Sequence, residues 1–125
     1  MGIWIAVVLG GALGTAARHG VNIAATRLMS TPVPWATAAV NLIGSLMIGV
    51  LAGALAGERL SLSPFARAFI FVGILGGFTT FSSFMLDSLT LLHTGVAMKA
   101  VLNLAGQLAI GVALTFAGYY IGLRV

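Results

Sequence analysis

Cysteine is absent from this chain and carboxylates nearly so: Glu58 and Asp87 are the only two acidic residues. Without cysteine there is neither a disulfide framework nor a thiolate metal site. With two separated carboxylates there is no acid–base pair, and the chain holds no Ser-His-Asp arrangement or phosphate-binding loop. It does not read as an enzyme. Charge of either sign is scarce. Only 6% of the 125 residues are charged, against about 25% in an ordinary soluble domain. A surface facing water on all sides cannot be made from so little charge. Apolar residues are what the chain does have, at 60%. The composition predicts an all-α integral membrane protein forming a single domain over residues 1–125.

The six basic side chains are Arg18, Arg27, Arg59, Arg67, Lys99 and Arg124, which bring the formal charge to +4. They stand singly between apolar runs, the pattern of membrane-flanking anchors, and not in the clusters that nucleic acid requires. No basic region precedes the first apolar run, which continues past the length of a cleavable signal peptide. A spanning helix needs about 20 apolar residues, and four segments qualify: 3–28, 35–56, 65–92 and 97–123. A turn at 30–34 with two prolines, a polar loop at 57–64 and a short connection at 93–95 separate them.

The third segment carries Gly76-Gly77-Phe78-Thr79-Thr80-Phe81-Ser82-Ser83-Phe84. Glycine weakens a helix, and hydroxyls that compete for backbone hydrogen bonds follow at once. A helix broken at Gly76–Thr80 is expected. In a membrane such a break is tolerated only where protein or water meets the freed groups, and at that depth it reads either as an ion or substrate site or as a glycine-rich kink that lets two helices pack closely.

Other spans carry polar groups in register. Thr37, Asn41 and Ser45 recur every four residues and so share a face of the second helix. Asn103, Gln107 and Thr115, with Gly111 between, share a face of the fourth. Either set serves as interhelical glue or lines a hydrated path. Arg18 sits inside the first span, where a charge is costly and a functional candidate by default, or else lies near the far end and snorkels to the headgroups. No metal-ligand spacing accompanies His19. Neutral amides and hydroxyls with one arginine favour an anion over a cation. A small multidrug exporter, the rival transporter reading, needs a first-span glutamate that is missing here; a non-transporting membrane subunit is the other alternative.

Four spans place Arg59, Arg67 and Arg124 on one side and Arg18, Arg27 and Lys99 on the other. Three against three gives no preferred orientation under the positive-inside rule, so insertion both ways is expected. Two oppositely inserted copies would then pair about an axis in the membrane plane.

The third-span run resembles the signature of the Fluc (CrcB) fluoride channels, and the likeness extends along the chain. Residues 11–18 resemble that family's glycine-rich first-span motif ending in arginine. The run Pro34-Trp35-Ala36-Thr37-Ala38-Ala39-Val40-Asn41-Leu42-Ile43-Gly44 resembles its second-span motif. The resemblance implies an antiparallel, dual-topology homodimer in the bacterial inner membrane that exports fluoride passively through two pores. It implies that Asn41 lines the pore, that Phe81 and Phe84 form an aromatic box on the fluoride path, and that Thr80 and Ser82 add polar groups there. Asn103 and Gln107 would continue the path, and Arg18 would sit in its vestibule. The carbonyls of Gly76 and Thr79 would hold a structural sodium ion shared by both subunits. Membrane lipid is the remaining partner, and nucleic acid is not one. The chain departs from the pattern at Asn103, where some members carry tyrosine, and at His19, where an aromatic is common.

Overall fold

The computed structural model describes residues 1–29 and 34–125. The expected turn at 30–34 therefore lies, except for Pro34, outside the described residues. All regular structure among the described residues is helical. Helix α1 is Gly2–Leu28 and α2 is Trp35–Ala56. Helix α3 (residues 64–78) runs without interruption through three pieces, Pro64–Arg67, Ala68–Leu75 and Gly76–Phe78. Helix α4 is Phe81–His93 and α5 is Ala97–Gly122.

The ends of these helices follow from local chemistry. Ser63 begins α3 by accepting a hydrogen bond from the Ala66 N–H at 3.2 Å, with Pro64 in the first helical position, where its missing N–H costs nothing. Gly95 ends α4 with φ +78°, and the N–H groups of Gly95 and Val96 return to the carbonyls of Leu92 and Leu91. That closure needs a left-handed residue, which glycine supplies without a Cβ clash.

Three stretches are long and apolar enough to cross a membrane: Trp35–Ala56, Pro64–His93 and Ala97–Gly122, with mean hydropathy 2.0, 1.8 and 1.7. The expectation of four spans is thus met in three on length and composition together. At 27 residues α1 is long enough, about 40 Å at 1.5 Å per residue, but Arg18, His19 and Asn22 dilute its apolar run. Large apolar side chains such as Val72, Leu86, Leu102, Val112 and Phe116 point outward. In water that surface would be a liability; in a bilayer it faces its solvent. The chain is a multi-pass membrane protein.

Glycines set the packing. On α2, Gly49 and Gly53 lie against the backbone at Thr115 and Tyr119 of α5, while Gly118 and Gly122 of α5 lie against Leu46 and Val50 of α2. Gly10 and Gly14 of α1 meet the backbone of α3 from Phe69 to Phe78 in the same way. Without a hydrophobic drive between helices in lipid, close backbone approach of this kind supplies the van der Waals contact that holds them. The bundle is two tight pairs, α1 with α3 and α2 with α5, with α4 laid on α5.

Two features of the third span differ from expectation. Residues 68–75 are π-helical, with the wider turn of i+5 bonding. The glycine pair is not the break: Gly76 and Gly77 stay helical, and the chain leaves the helix only at Thr79 (φ −83°, ψ 161°) and Thr80 (φ −152°, ψ 118°). Gly77 serves packing instead, since a Cβ there would lie 2.7 Å from the Gly11 carbonyl oxygen.

Candidate functional site at the helix break

Two extended residues inside a spanning helix expose backbone groups, and the Thr79 carbonyl and the Thr80 N–H and carbonyl find partners from other helices. The Thr80 N–H, which would have bonded to the Gly76 carbonyl in an unbroken helix, donates to Asn41 Oδ1 at 2.8 Å. Asn41 Nδ2 donates back to the Thr80 carbonyl at 3.1 Å. The amide thus pairs with one peptide unit at two points, as a neighbouring strand would. Its other hydrogen goes to Gln107 Oε1 at 2.9 Å, which commits both amide hydrogens. The Thr79 carbonyl accepts from Arg18 Nη1 at 3.4 Å, placing a positive charge at the C-terminal end of α3, where the helix dipole favours one. Thr80 then caps α4 by accepting from the Ser83 N–H at 3.3 Å.

A cavity opens on each side of Thr80. One, of about 400 Å³, is lined by Asn41, Ser45, Gly76, Thr79, Phe81, Phe84 and Gln107 among others. Phe81 and Phe84 meet edge to face there, with ring centroids 6.0 Å apart and planes at 67°. Their surroundings differ: Phe84 is buried at 4% exposure, whereas Phe81 is 70% exposed on the outer face. The other cavity, of about 440 Å³, is lined by Thr15, Arg18, His19, Asn22, Thr37, Thr80, Ser82 and Ser83. It has one positive side chain, no carboxylate and the first turn of α4. Thr80 belongs to both.

The structure therefore brings Asn41, Thr80, Phe81, Phe84 and Gln107 together, and puts Arg18 and Ser82 next door. Asn103 does not line the aromatic cavity. It lies in an apolar groove with Trp35 and Lys99, donates to Ser88 Oγ at 2.9 Å and accepts from Gln107 Nε2 at 2.8 Å. The Gly76 carbonyl has lost its usual donor to Asn41, which leaves a neutral oxygen of the kind a sodium ion takes. The Thr79 carbonyl is of the same kind but already faces a guanidinium. Ser88, at 3% exposure, was missed by sequence reasoning; a serine one turn beyond the signature, in a helix full of hydroxyls, gives no signal of its own.

The profile described as "CrcB-like protein, Camphor Resistance (CrcB)" matches residues 5–119. The chain belongs to the CrcB family. A curated relative from Hyphomonas neptunium, named "Fluoride-specific ion channel FluC", is 43% identical over 122 residues, covering 98% of this chain and 96% of its own. Relatives of the same name from Thermus thermophilus and Allorhizobium ampelinum are 43% and 42% identical over 95% and 94% of this chain. Within this CrcB chain, the matched region takes in α2, α3 and α4 whole, and with them every residue of both cavities.

Proposed function

We propose that this protein is a channel through which fluoride leaves the cell down its gradient. The observation that carries the reading is the pair of cavities that share Thr80, one with a lone arginine and one with edge-to-face phenylalanines. An anion entering beside Arg18 meets a positive charge and the N-terminal turn of α4, whose N–H groups and dipole favour negative charge. Past Thr80 it meets aromatic edges, which carry the positive part of the ring quadrupole. Edges attract a small anion without the full charge that would trap it, and conduction requires binding weak enough to leave. No step in this passage makes or breaks a bond.

The finer reading is an antiparallel homodimer. The first helix crosses the membrane as the fourth span, the even distribution of basic residues lets copies insert both ways, and the outward Phe81 meets the second copy. In that dimer Asn41, Thr80, Ser82, Phe81, Phe84 and Gln107 border the fluoride path, with Arg18 in its vestibule and Asn103, expected on the path, standing behind Gln107 instead. The carbonyls of Gly76 and Thr79 are the groups that would hold a structural sodium ion on the axis, where the ion would neutralise carbonyl dipoles at the two breaks. Arg18 would share the Thr79 carbonyl with it.

A small exporter of the multidrug type is the second reading, favoured by one observation: Asp87 Oδ2 is buried and has no hydrogen-bond partner among the described residues, as a proton-coupled carboxylate would be. Fluoride-loaded liposomes decide between the two. A channel empties them without a proton gradient; an exporter does not.

A further inference from the structure

Five hydrogen bonds around the break form a single chain. The Thr80 N–H donates to Asn41 Oδ1 (2.8 Å), Asn41 Nδ2 to Gln107 Oε1 (2.9 Å), and Gln107 Nε2 to Asn103 Oδ1 (2.8 Å). Asn103 Nδ2 then donates to Ser88 Oγ (2.9 Å), and the Ser88 hydroxyl to the Phe84 carbonyl (2.9 Å). Both ends lie on the same element, since Thr80 is the N-cap of α4 and Phe84 is one turn into it. The chain leaves α4, passes through α2 and α5, and returns.

Its direction is forced at both ends. A backbone N–H can only donate, so Asn41 must turn its oxygen to Thr80 and its nitrogen to Gln107. A backbone carbonyl can only accept, so Ser88 must spend its hydroxyl hydrogen on Phe84 and receive Asn103 with a lone pair. The three amides between have one orientation that satisfies both ends. Bonds aligned head to tail polarise one another, so the whole is stronger than its pairs.

We infer that Ser88 and Asn103 are positioning residues for the ion path: acting through Gln107 and Asn41, they hold the start of α4, and with it the Phe81–Phe84 pair, in register with the break. The inference rests on the channel reading for its functional consequence but not for the circuit itself. Ser88 is among the lining residues of neither cavity, so it cannot act by touching the ion there. Loss of its hydroxyl leaves Asn103 Nδ2 without its acceptor, and Asn103 is then free to turn away from Gln107. Thr80 still fixes which way Asn41 faces, but Gln107, no longer braced from its far side, holds Asn41 less firmly.

Gln107 is the only glutamine in the chain, so side-chain ¹⁵N labelling of glutamine gives one amide pair to follow by NMR in the full-length protein. In the unmodified protein the hydrogen given to Asn103 should exchange more slowly than its geminal partner; equal exchange overturns the circuit even if every variant misfolds. Ser88→Ala should shift that amide pair and slow fluoride efflux from liposomes about fivefold, the factor corresponding to one net hydrogen bond. Ser88→Thr, which keeps the hydroxyl, should restore both. An alanine variant with an unmoved amide, or with a moved amide and wild-type efflux, overturns the inference, as does a folded threonine variant that behaves like alanine. If the unmodified protein passes no fluoride, the channel reading fails, and the amide exchange still reports whether the circuit exists.

Discussion

Asn41 shows how far one side chain can be committed. Two of its bonds go to Thr80 and one to Gln107, so its first task is to complete a backbone that the break left open. Asn41→Asp keeps the acceptor for the Thr80 N–H but loses both donations and places a negative charge on an anion path. Fluoride flux should fall to background; normal conduction by this variant would remove Asn41 from the path. The phenylalanines should separate by environment. Isoleucine removes the positive ring edge at either position, so both Phe81→Ile and Phe84→Ile should cut fluoride flux strongly. Only Phe84 is buried within the subunit, so only Phe84→Ile should also lower the melting temperature of the isolated subunit. Equal melting losses with proportionate flux losses would assign both rings to packing alone. The polar residues of α2 and α5 were legible as two faces, because spacing of four residues is a local property. Their partnership was not, because Asn41 and Gln107 meet across 66 residues of sequence and nothing in either helix names the other.

At the scale of elements, runs of about 20 apolar residues make the spans plain, and the loop at 57–63 and the turn at Gly95 stand where proline, glycine and charge put them. The break is less plain. Gly76-Gly77 looks like its cause, yet both residues stay helical, and the extended residues are Thr79 and Thr80, held by Arg18 and Asn41 from other helices. Glycine's low helix propensity is outweighed by packing: Gly77 lies where α3 passes α1 too closely for a side chain. The π turn at 68–75 was illegible too, since an uninterrupted apolar run carries no local mark of i+5 bonding. Gly77→Ala should therefore destabilise the fold by about 1–3 kcal/mol, the usual cost of forcing a methyl into a packed interface. Gly106→Ala, with nothing within 4 Å of the added Cβ, should be neutral. Thermal melting in detergent reads both; a well-tolerated Gly77→Ala would mean that the α1–α3 contact is looser than described.

At the scale of the whole molecule, the antiparallel reading rests on the count of basic residues. Three basic side chains fall on each side when all four long helical runs span, and the positive-inside rule responds to such small counts. Adding two or three lysines within residues 57–63 should bias insertion to one orientation and abolish activity, and co-expression with an oppositely biased copy should restore it. Full activity from a uniformly oriented population would rule out the antiparallel dimer while leaving a pore possible in another assembly.

The central claim is that fluoride passes by itself, down its gradient, along the path from Arg18 to the phenylalanines. Efflux from liposomes loaded with fluoride or chloride, followed with ion electrodes while a potassium ionophore removes the opposing voltage, tests it most directly. Rapid fluoride release with chloride retained, unaffected by abolishing any proton gradient and absent in Asn41→Asp, is the predicted result. Release no faster than from empty liposomes, or release only with a proton gradient, would contradict it.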